Sequence, residues 1–509
     1  MPTTFVMVWG TASGAGKSWV TTALCRWAAR QGLRVAPFKA QNMSNNARVV
    51  ATADGMGEIG AAQYFQALAA GVTPSVHMNP ILLKPESDTG SQVIVAGQVR
   101  HDLSAMPWRT RSPILAEAAH ASLRVLSEQY DLIIMEGAGS PAETNLAAQD
   151  YVNLHSVRWA QALGTCRSLL VTDIDRGGAF AHLYGTWSLI PADVRTTLAG
   201  FVLNKFRGDP SLLAPAPADL ELLTGVPTLA VLPMIFQHGL PEEDGIYQTS
   251  HSQLGKSVTS NLIKIAVIAY PHISNIDEFS ALALHPNVQL IWAREVSDLA
   301  GATYIVLPGS KQVSGDLQWL KHAGLAATIQ QAAQTGTPIL GICGGLQMLG
   351  ETLHDPAGFD GKTSDIQPEQ TGLGLLPVRT EYGAQKVLAQ RPMQLSNLQG
   401  IWARLNDIPY SGYEIHCGLT QAQGEQVAIV ARNADGQPIA WQGVDGYSNV
   451  LGMYSHGLLE AANIQSALFG EANSAHTLDA VFDRLADCVE QAFSDQALNT
   501  LTGKQALVA

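Results

Sequence analysis

Short apolar runs alternate with longer stretches of helical periodicity along most of this chain. In the first half, runs near 4–8, 33–37, 131–136, 168–173, 198–203 and 228–232 are rich in Val, Ile and Leu. Such runs read as strands buried on both faces, and the stretches between them as covering helices, so a parallel sheet is expected. The pattern then lapses. Residues 236–261 hold Pro241, Glu242, Glu243, Asp244 and Gly245 followed by a Ser/Thr/Gln-rich run, which reads as an interdomain linker. A second series starts at 263–269 and continues through Ile305 and Ile339 to His456. Near the end, Leu478, Val481, Phe482, Leu485, Val489 and Phe493 share one helical face, opposite Asp479, Asp483, Asp487 and Glu490. The expectation is an α/β protein with two doubly wound domains, 1–235 and 262–465, and a helical extension, 466–509, packed on the second.

Composition narrows this picture without redirecting it. At 509 residues the chain exceeds what one core supports, and 46% hydrophobic with 14% charged residues is ordinary for a globular protein. A formal net charge of −13 argues against nucleic acid, whose binding needs basic patches. No basic leader precedes the first apolar run and no run reaches the length of a bilayer span, so no membrane partner is expected. The five scattered cysteines show neither a disulfide framework nor paired metal spacing, which points to a reducing cytoplasm.

One of those cysteines carries the first sign of chemistry. Cys343 ends the apolar run 338–342 and is followed by Gly344 and Gly345. A strand-to-helix turn this tight strains the central residue and exposes its side chain beside backbone N–H groups, the arrangement of a nucleophile elbow. A histidine must take the thiol proton, and His456, in a glycine-flanked turn, suits that role. The run 304–307 ends in Pro308 and Gly309, placing Gly309 and Gly344 as donors of an oxyanion hole. This order of strand, turn, cysteine and histidine resembles class I glutamine amidotransferase domains. That family usually has Glu two residues after the histidine, where this chain has Leu458. Glu460 and Glu414 are nearby alternatives, and the partner that orients His456 stays unassigned.

The other half opens on a phosphate loop. After the run 4–8, Gly10, Thr11, Gly14, Gly16, Lys17 and Ser18 lead into a helical stretch, in the spacing of the dethiobiotin synthetase group. Backbone N–H groups there cradle phosphates, Lys17 neutralises them, and the Ser18 hydroxyl can ligate Mg2+. Glu136, at the end of the run 131–136, is a further metal ligand, with Asp54 in a glycine-flanked turn as another candidate. Asn204 and Lys205, after the run 198–203, would contact the base of ATP. Lys17, Lys39, Lys84, Arg176 and Arg207 could together focus positive potential on the ATP cleft.

A thiol hydrolase of glutamine joined to an ATP site implies amidation: a carboxylate is phosphorylated by ATP, and ammonia displaces the phosphate. The runs 37–46, 78–85, 136–143, 173–178, 204–209 and 412–416 together resemble the cobyric acid synthases over nearly the whole chain. That resemblance implies corrinoid, glutamine and ATP as substrates, in cobalamin biosynthesis, with amidation of adenosylcobyrinic acid a,c-diamide at its b, d, e and g carboxylates. Lys39, Gln41, Asn42, Asn45, Lys84 and Asp150 would then form the corrinoid site, although an Asn-rich loop can also be a self-satisfied turn. Enzymes that amidate cobyrinic acid at a and c or a cell-wall precursor share both domains. A P-loop ATPase switch carrying a degenerate amidotransferase module is the alternative from another class.

Overall fold

The computed structural model describes residues 2–86, 90–236, 238–241, 262–360, 367–471 and 477–504. Most of the expected linker, 237 and 242–261, lies outside them.

The first sheet is built from β1 (Thr4–Gly10), β2 (Val35–Phe38), β3 (Leu132–Glu136), β4 (Thr165–Asp173), β5 (Leu198–Phe206) and β6 (Thr228–Pro233), in the order β6-β5-β4-β1-β3-β2. Every pairing is parallel. The expected parallel sheet is therefore present. Strands β1 and β3 are buried almost throughout, which is why they read as unbroken apolar runs. Chain order departs to opposite sides of β1, with β3 on one flank and β4 on the other. That reversal opens a crevice at the carboxyl end of β1, where the loop to the helix Lys17–Arg30 begins.

The second sheet takes β7 (Ile263–Ile268), β8 (Val288–Ala293), β9 (Tyr304–Leu307), β10 (Ile339–Ile342), β11 (Val427–Arg432), β12 (Pro438–Gly443) and β13 (Val450–Met453), ordered β8-β7-β9-β10-β13-β12-β11. Five strands are parallel, and β12 and β11 add an antiparallel edge. Cys343 follows β10 at the centre, and His456 follows β13 beside it, so strand adjacency brings together two residues far apart in sequence.

Three further pieces join the halves. A hairpin pairs Ala47–Thr52 with Gly55–Gly60, a small sheet is led by Gln41–Met43 on Ile81–Pro85, and two long antiparallel strands run over Val378–Met393 and Tyr410–Ala422. The hairpin lies against both long strands.

The C-terminal helix Leu478–Ala492 corrects an expectation. It packs on the first domain, not the second: Val481, Phe482, Leu485 and Val489 share a core with Val20, Ala23, Leu24 and Trp27 of the helix Lys17–Arg30. Its acidic face is paired with that helix too, Arg26 bonding Asp483 at 2.8 Å and Arg30 meeting Asp487 and Glu490. Periodicity shows that a face is apolar but not which neighbour will cover it.

Candidate active sites

Cys343 occupies the turn between β10 and the helix Gly344–Leu349 with φ +51° and ψ −107°, a strained conformation for a residue with a side chain. The glycines around it are there for space. A Cβ on Gly345 would lie 1.8 Å from the Leu307 carbonyl oxygen, and one on Gly344 2.8 Å from the Ser310 amide nitrogen. Helix, elbow and the 309–310 turn are thus pressed together. Gly309 faces the histidine itself, since a Cβ there would meet His456 Cε1 at 3.0 Å.

The His456 ring has the Cys343 sulfur on one side, close enough to interact electrostatically, while the thiol itself donates to the Ile415 carbonyl at 3.4 Å. On the other, its Nδ1 lies 3.0 Å from Glu278 Oε1, while Glu278 Oε2 accepts the Gly457 amide at 3.2 Å. Both His456 and Glu278 are buried. Burial alone would strip the ring of its proton, but the Glu278 carboxylate, aided by the Cys343 sulfur, outweighs it and lifts His456 to about 10. A thiol whose proton can rest on such a ring is equipped for acyl transfer, with Glu278 fixing ring orientation and tautomer. Glu278 was not found from sequence, where the acid of the family motif was sought after the histidine. It comes instead from a short turn, Ile276–Phe279, following the first strand of the domain. The alternatives are engaged elsewhere: Glu414 with His416 and Arg391, and Glu460 with Arg48.

At the other site, Gly14 and Gly16 have φ +73° and +103°, the left-handed values that let the loop curl before the helix starting at Lys17. Lys17 Nζ donates to the carbonyls of Ala12 and Gly139, each at 3.1 Å. Glu136 is buried at the end of β3. Its Oε1 accepts from the Ser18 hydroxyl at 2.8 Å and from Lys39 Nζ at 3.0 Å, and its Oε2 from Gln66 at 2.6 Å. Burial penalises its charge, yet Lys39, with the hydrogen bonds of Gln66 and Ser18, more than offsets that and holds the carboxyl below its ordinary range. Gln66 was also missed from sequence; its only signal was a polar residue on a mostly apolar helix, Ala61–Ala69.

Several expected contacts take another form. The Asn204 amide donates to the Ala15 carbonyl at 2.9 Å, and Lys205, at φ +60°, reaches the Gly14 carbonyl and Asp173. Through these bonds both brace the phosphate loop. Asp54 is exposed in the hairpin turn, and among the described residues no hydrogen bond or ion pair ties it to Ser18 or Glu136. Of the five cations expected to focus potential, Lys39, Lys84, Arg176 and Arg207 sit on carboxylates: Glu136, Glu58, Asp173 and Asp175 respectively. Each of these four cations is thus already engaged by an acid, Glu58 holding Lys386 as well and Asp173 also Lys205.

The amide-rich loop satisfies itself only in part, the Met43 amide donating to Asn42 Oδ1 and the Asn46 amide to the Ser44 hydroxyl, each at 3.0 Å. Gln41 accepts from the Tyr151 hydroxyl, but Asn42 Nδ2, Asn45 Oδ1, both amide atoms of Gln63 and Gln66 Oε1 are buried without a hydrogen-bond partner. Asp150 accepts from the Asn153 amide at 2.8 Å and caps the turn Tyr151–His155, with burial raising its carboxyl above the ordinary range. Asn153 in turn clasps Ala138 through both its amide groups, holding the loop that carries Gly139 to Lys17.

Mg2+ is bound through few protein oxygens plus phosphates and water. Ser18 and Glu136, 2.8 Å apart, could supply such a pair, and among the described residues no cluster of three or more His, Cys, Asp or Glu offers a fuller cage. No helix of the described residues is long and apolar enough to cross a membrane.

Comparison with known proteins agrees with the two-part architecture. Residues 6–238 match the family described as the CobQ/CobB/MinD/ParA nucleotide binding domain, and residues 264–464 the CobB/CobQ-like glutamine amidotransferase domain. Three proteins named cobyric acid synthase align over 98% of this chain. The one from Variovorax paradoxus is 55% identical and covered over 100% of its length. Those from Leptothrix cholodnii and Methylibium petroleiphilum are each 53% identical, covered over 96% and 97% of theirs. With a nucleotide-binding half, an amidotransferase half and this identity across both, the chain belongs to the cobyric acid synthase family of ATP-dependent ligases.

Proposed function

We propose that this enzyme converts adenosylcobyrinic acid a,c-diamide to cobyric acid, amidating its b, d, e and g carboxylates with nitrogen from glutamine and energy from ATP. The observation that carries the reading is that Cys343, His456 and Glu278 stand together at one end of a chain whose other end holds Lys17, Ser18 and Glu136.

In the amidotransferase half, His456 takes the Cys343 proton and the sulfur attacks the glutamine amide carbon. The Gly344 amide and the 309–310 turn stabilise the oxyanion, and the proton on His456 passes to the leaving ammonia. Water then attacks the glutamyl thioester, with His456 as base, releasing glutamate. In the synthetase half, Lys17 leaves its carbonyl partners for the ATP phosphates, and a corrinoid carboxylate attacks the γ-phosphate to give an acyl phosphate and ADP. Mg2+ held by Ser18 and Glu136 would supply neutralisation of phosphate charge. Ammonia displaces phosphate from the acyl group. The unpartnered amides of Asn42, Asn45 and Gln63 supply both donors and acceptors, which suits a substrate edged with carboxylates and carboxamides.

Mass spectrometry of the corrinoid after incubation with ATP, Mg2+ and glutamine tests this: each acid converted to amide lowers the mass by about one unit, so a loss of roughly four is expected. A corrinoid unchanged in mass while ATP is consumed would exclude the assignment.

A further inference from the structure

The hairpin leaves the amide-rich loop and runs directly into the support of the catalytic histidine. Three consecutive residues of the first half hold three consecutive residues of the second. The Asn46 carbonyl of the side chain accepts the Ile276 amide at 3.1 Å, the Ala47 carbonyl accepts from the Asn275 side chain at 2.7 Å, and Arg48 Nε donates to Asp277 at 2.8 Å. The next residue is Glu278, which orients His456.

Arg48 is the centre of this clasp. It is buried, and its Nη1 also donates to Glu460 at 3.0 Å, in the turn that begins just after the Gly457 amide held by Glu278. Its guanidinium lies 4.9 Å from the Tyr413 ring, and that ring stacks on His456 at 5.1 Å. In the other direction it lies 5.0 Å from the ring of Phe65, the neighbour of Gln66, which bonds Glu136 in the ATP site. Asp277 and Glu278 are buried acids with the partly exposed Glu460 close by, and Arg48 is the cation that bonds Asp277 and Glu460 directly. Without it their repulsion would fall on Glu278.

Resting on the functional reading above, we propose that Arg48 is a positioning residue that ties the state of the corrinoid loop, 41–46, to the placement of Glu278, so that glutamine hydrolysis depends on the synthetase half being occupied. A shift of the loop on binding is transmitted through Asn46, Ala47 and Arg48 to residues 275–278 and hence to the imidazole.

The test compares Arg48→Met with the unsubstituted enzyme in three assays: glutamine hydrolysis alone, hydrolysis with ATP, Mg2+ and adenosylcobyrinic acid a,c-diamide, and amidation from ammonium chloride. Stimulation of hydrolysis by the synthetase substrates should fall tenfold or more, in kcat rather than in KM for glutamine, with ammonium-supported amidation kept within twofold. Arg48→Lys should restore part of the stimulation. Glu460→Gln, whose side chain is 28% exposed and leaves the Arg48–Asp277 pair in place, should fold readily and lose stimulation in the same direction to a smaller degree. Full stimulation in both Arg48→Met and Glu460→Gln would overturn the proposal, as would equal loss of both amidation activities or an unsubstituted enzyme that shows no stimulation. Failure of the unsubstituted enzyme to make any amide would instead overturn the functional reading.

Discussion

The two reactive centres differ in how complete they are before a substrate arrives. Around Cys343 the geometry is finished: elbow, histidine and orienting acid are buried, the histidine and the acid are bonded to each other, and glycines that admit no side chain hold the turn. Around Glu136 the charged groups are bonded to each other in place of ligands. Lys17 rests on two carbonyls, Lys39 on Glu136, and amide atoms of Asn42, Asn45 and Gln63 are buried with no hydrogen-bond partner. A nucleophile must be strained and aimed in advance, because its catalytic advantage lies in pre-organisation. A site for a highly charged nucleotide must instead keep its cations neutralised until the phosphates replace the internal partners.

Substitutions at the two centres should therefore separate cleanly. Cys343→Ala should reduce glutamine-supported amidation by about 10⁵-fold or more, as loss of a nucleophile does, and leave ammonium-supported amidation within twofold. Retention of glutamine-dependent turnover would refute the nucleophile. Glu278→Gln keeps the shape but loses the charge behind His456, and a drop of roughly 10⁴-fold in glutamine hydrolysis is expected. The same variant has a stability signature. The ring is lifted to about 10 in the folded protein, above the ordinary histidine value, so the proton it holds stabilises the fold fully below about 6.5. That contribution is lost as pH rises through about 10. Melting temperatures should thus decline across this window in the unsubstituted protein and decline less in Glu278→Gln.

Lys17→Ala should lower amidation from either nitrogen source by about 10²- to 10³-fold, the scale on which a phosphate-stabilising group acts. A selective loss with glutamine alone would contradict its place in the synthetase half. Smaller effects should mark the docking of the C-terminal helix. Phe482→Ala removes a buried ring from the core beside the phosphate-loop helix and should cost about 3–5 kcal/mol, with ATP binding weakened before glutamine hydrolysis. Asp483→Ala, at a half-exposed ion pair with Arg26, should cost about 1 kcal/mol or less in chemical denaturation.

Local pattern was sufficient for much of this molecule. Buried strands are apolar regardless of what covers them, so β1, β3, β4 and β10 were legible as runs, and the phosphate loop and the Cys343 elbow were legible because each requires glycines next to one reactive side chain. The long strands Val378–Met393 and Tyr410–Ala422 and the hairpin 47–60 were not read: half-exposed or interdomain strands mix polar and apolar positions, and their partners lie in another part of the chain. What the sequence determined alone was the kind of chemistry at each end. Only the tertiary structure decided that Glu278 rather than a residue after His456 would support the imidazole, that Asn204 would brace the loop, and that the last helix would cover the first domain. Each of those is a contact between distant segments, and a side chain's partner across space leaves no periodicity in the sequence that carries it.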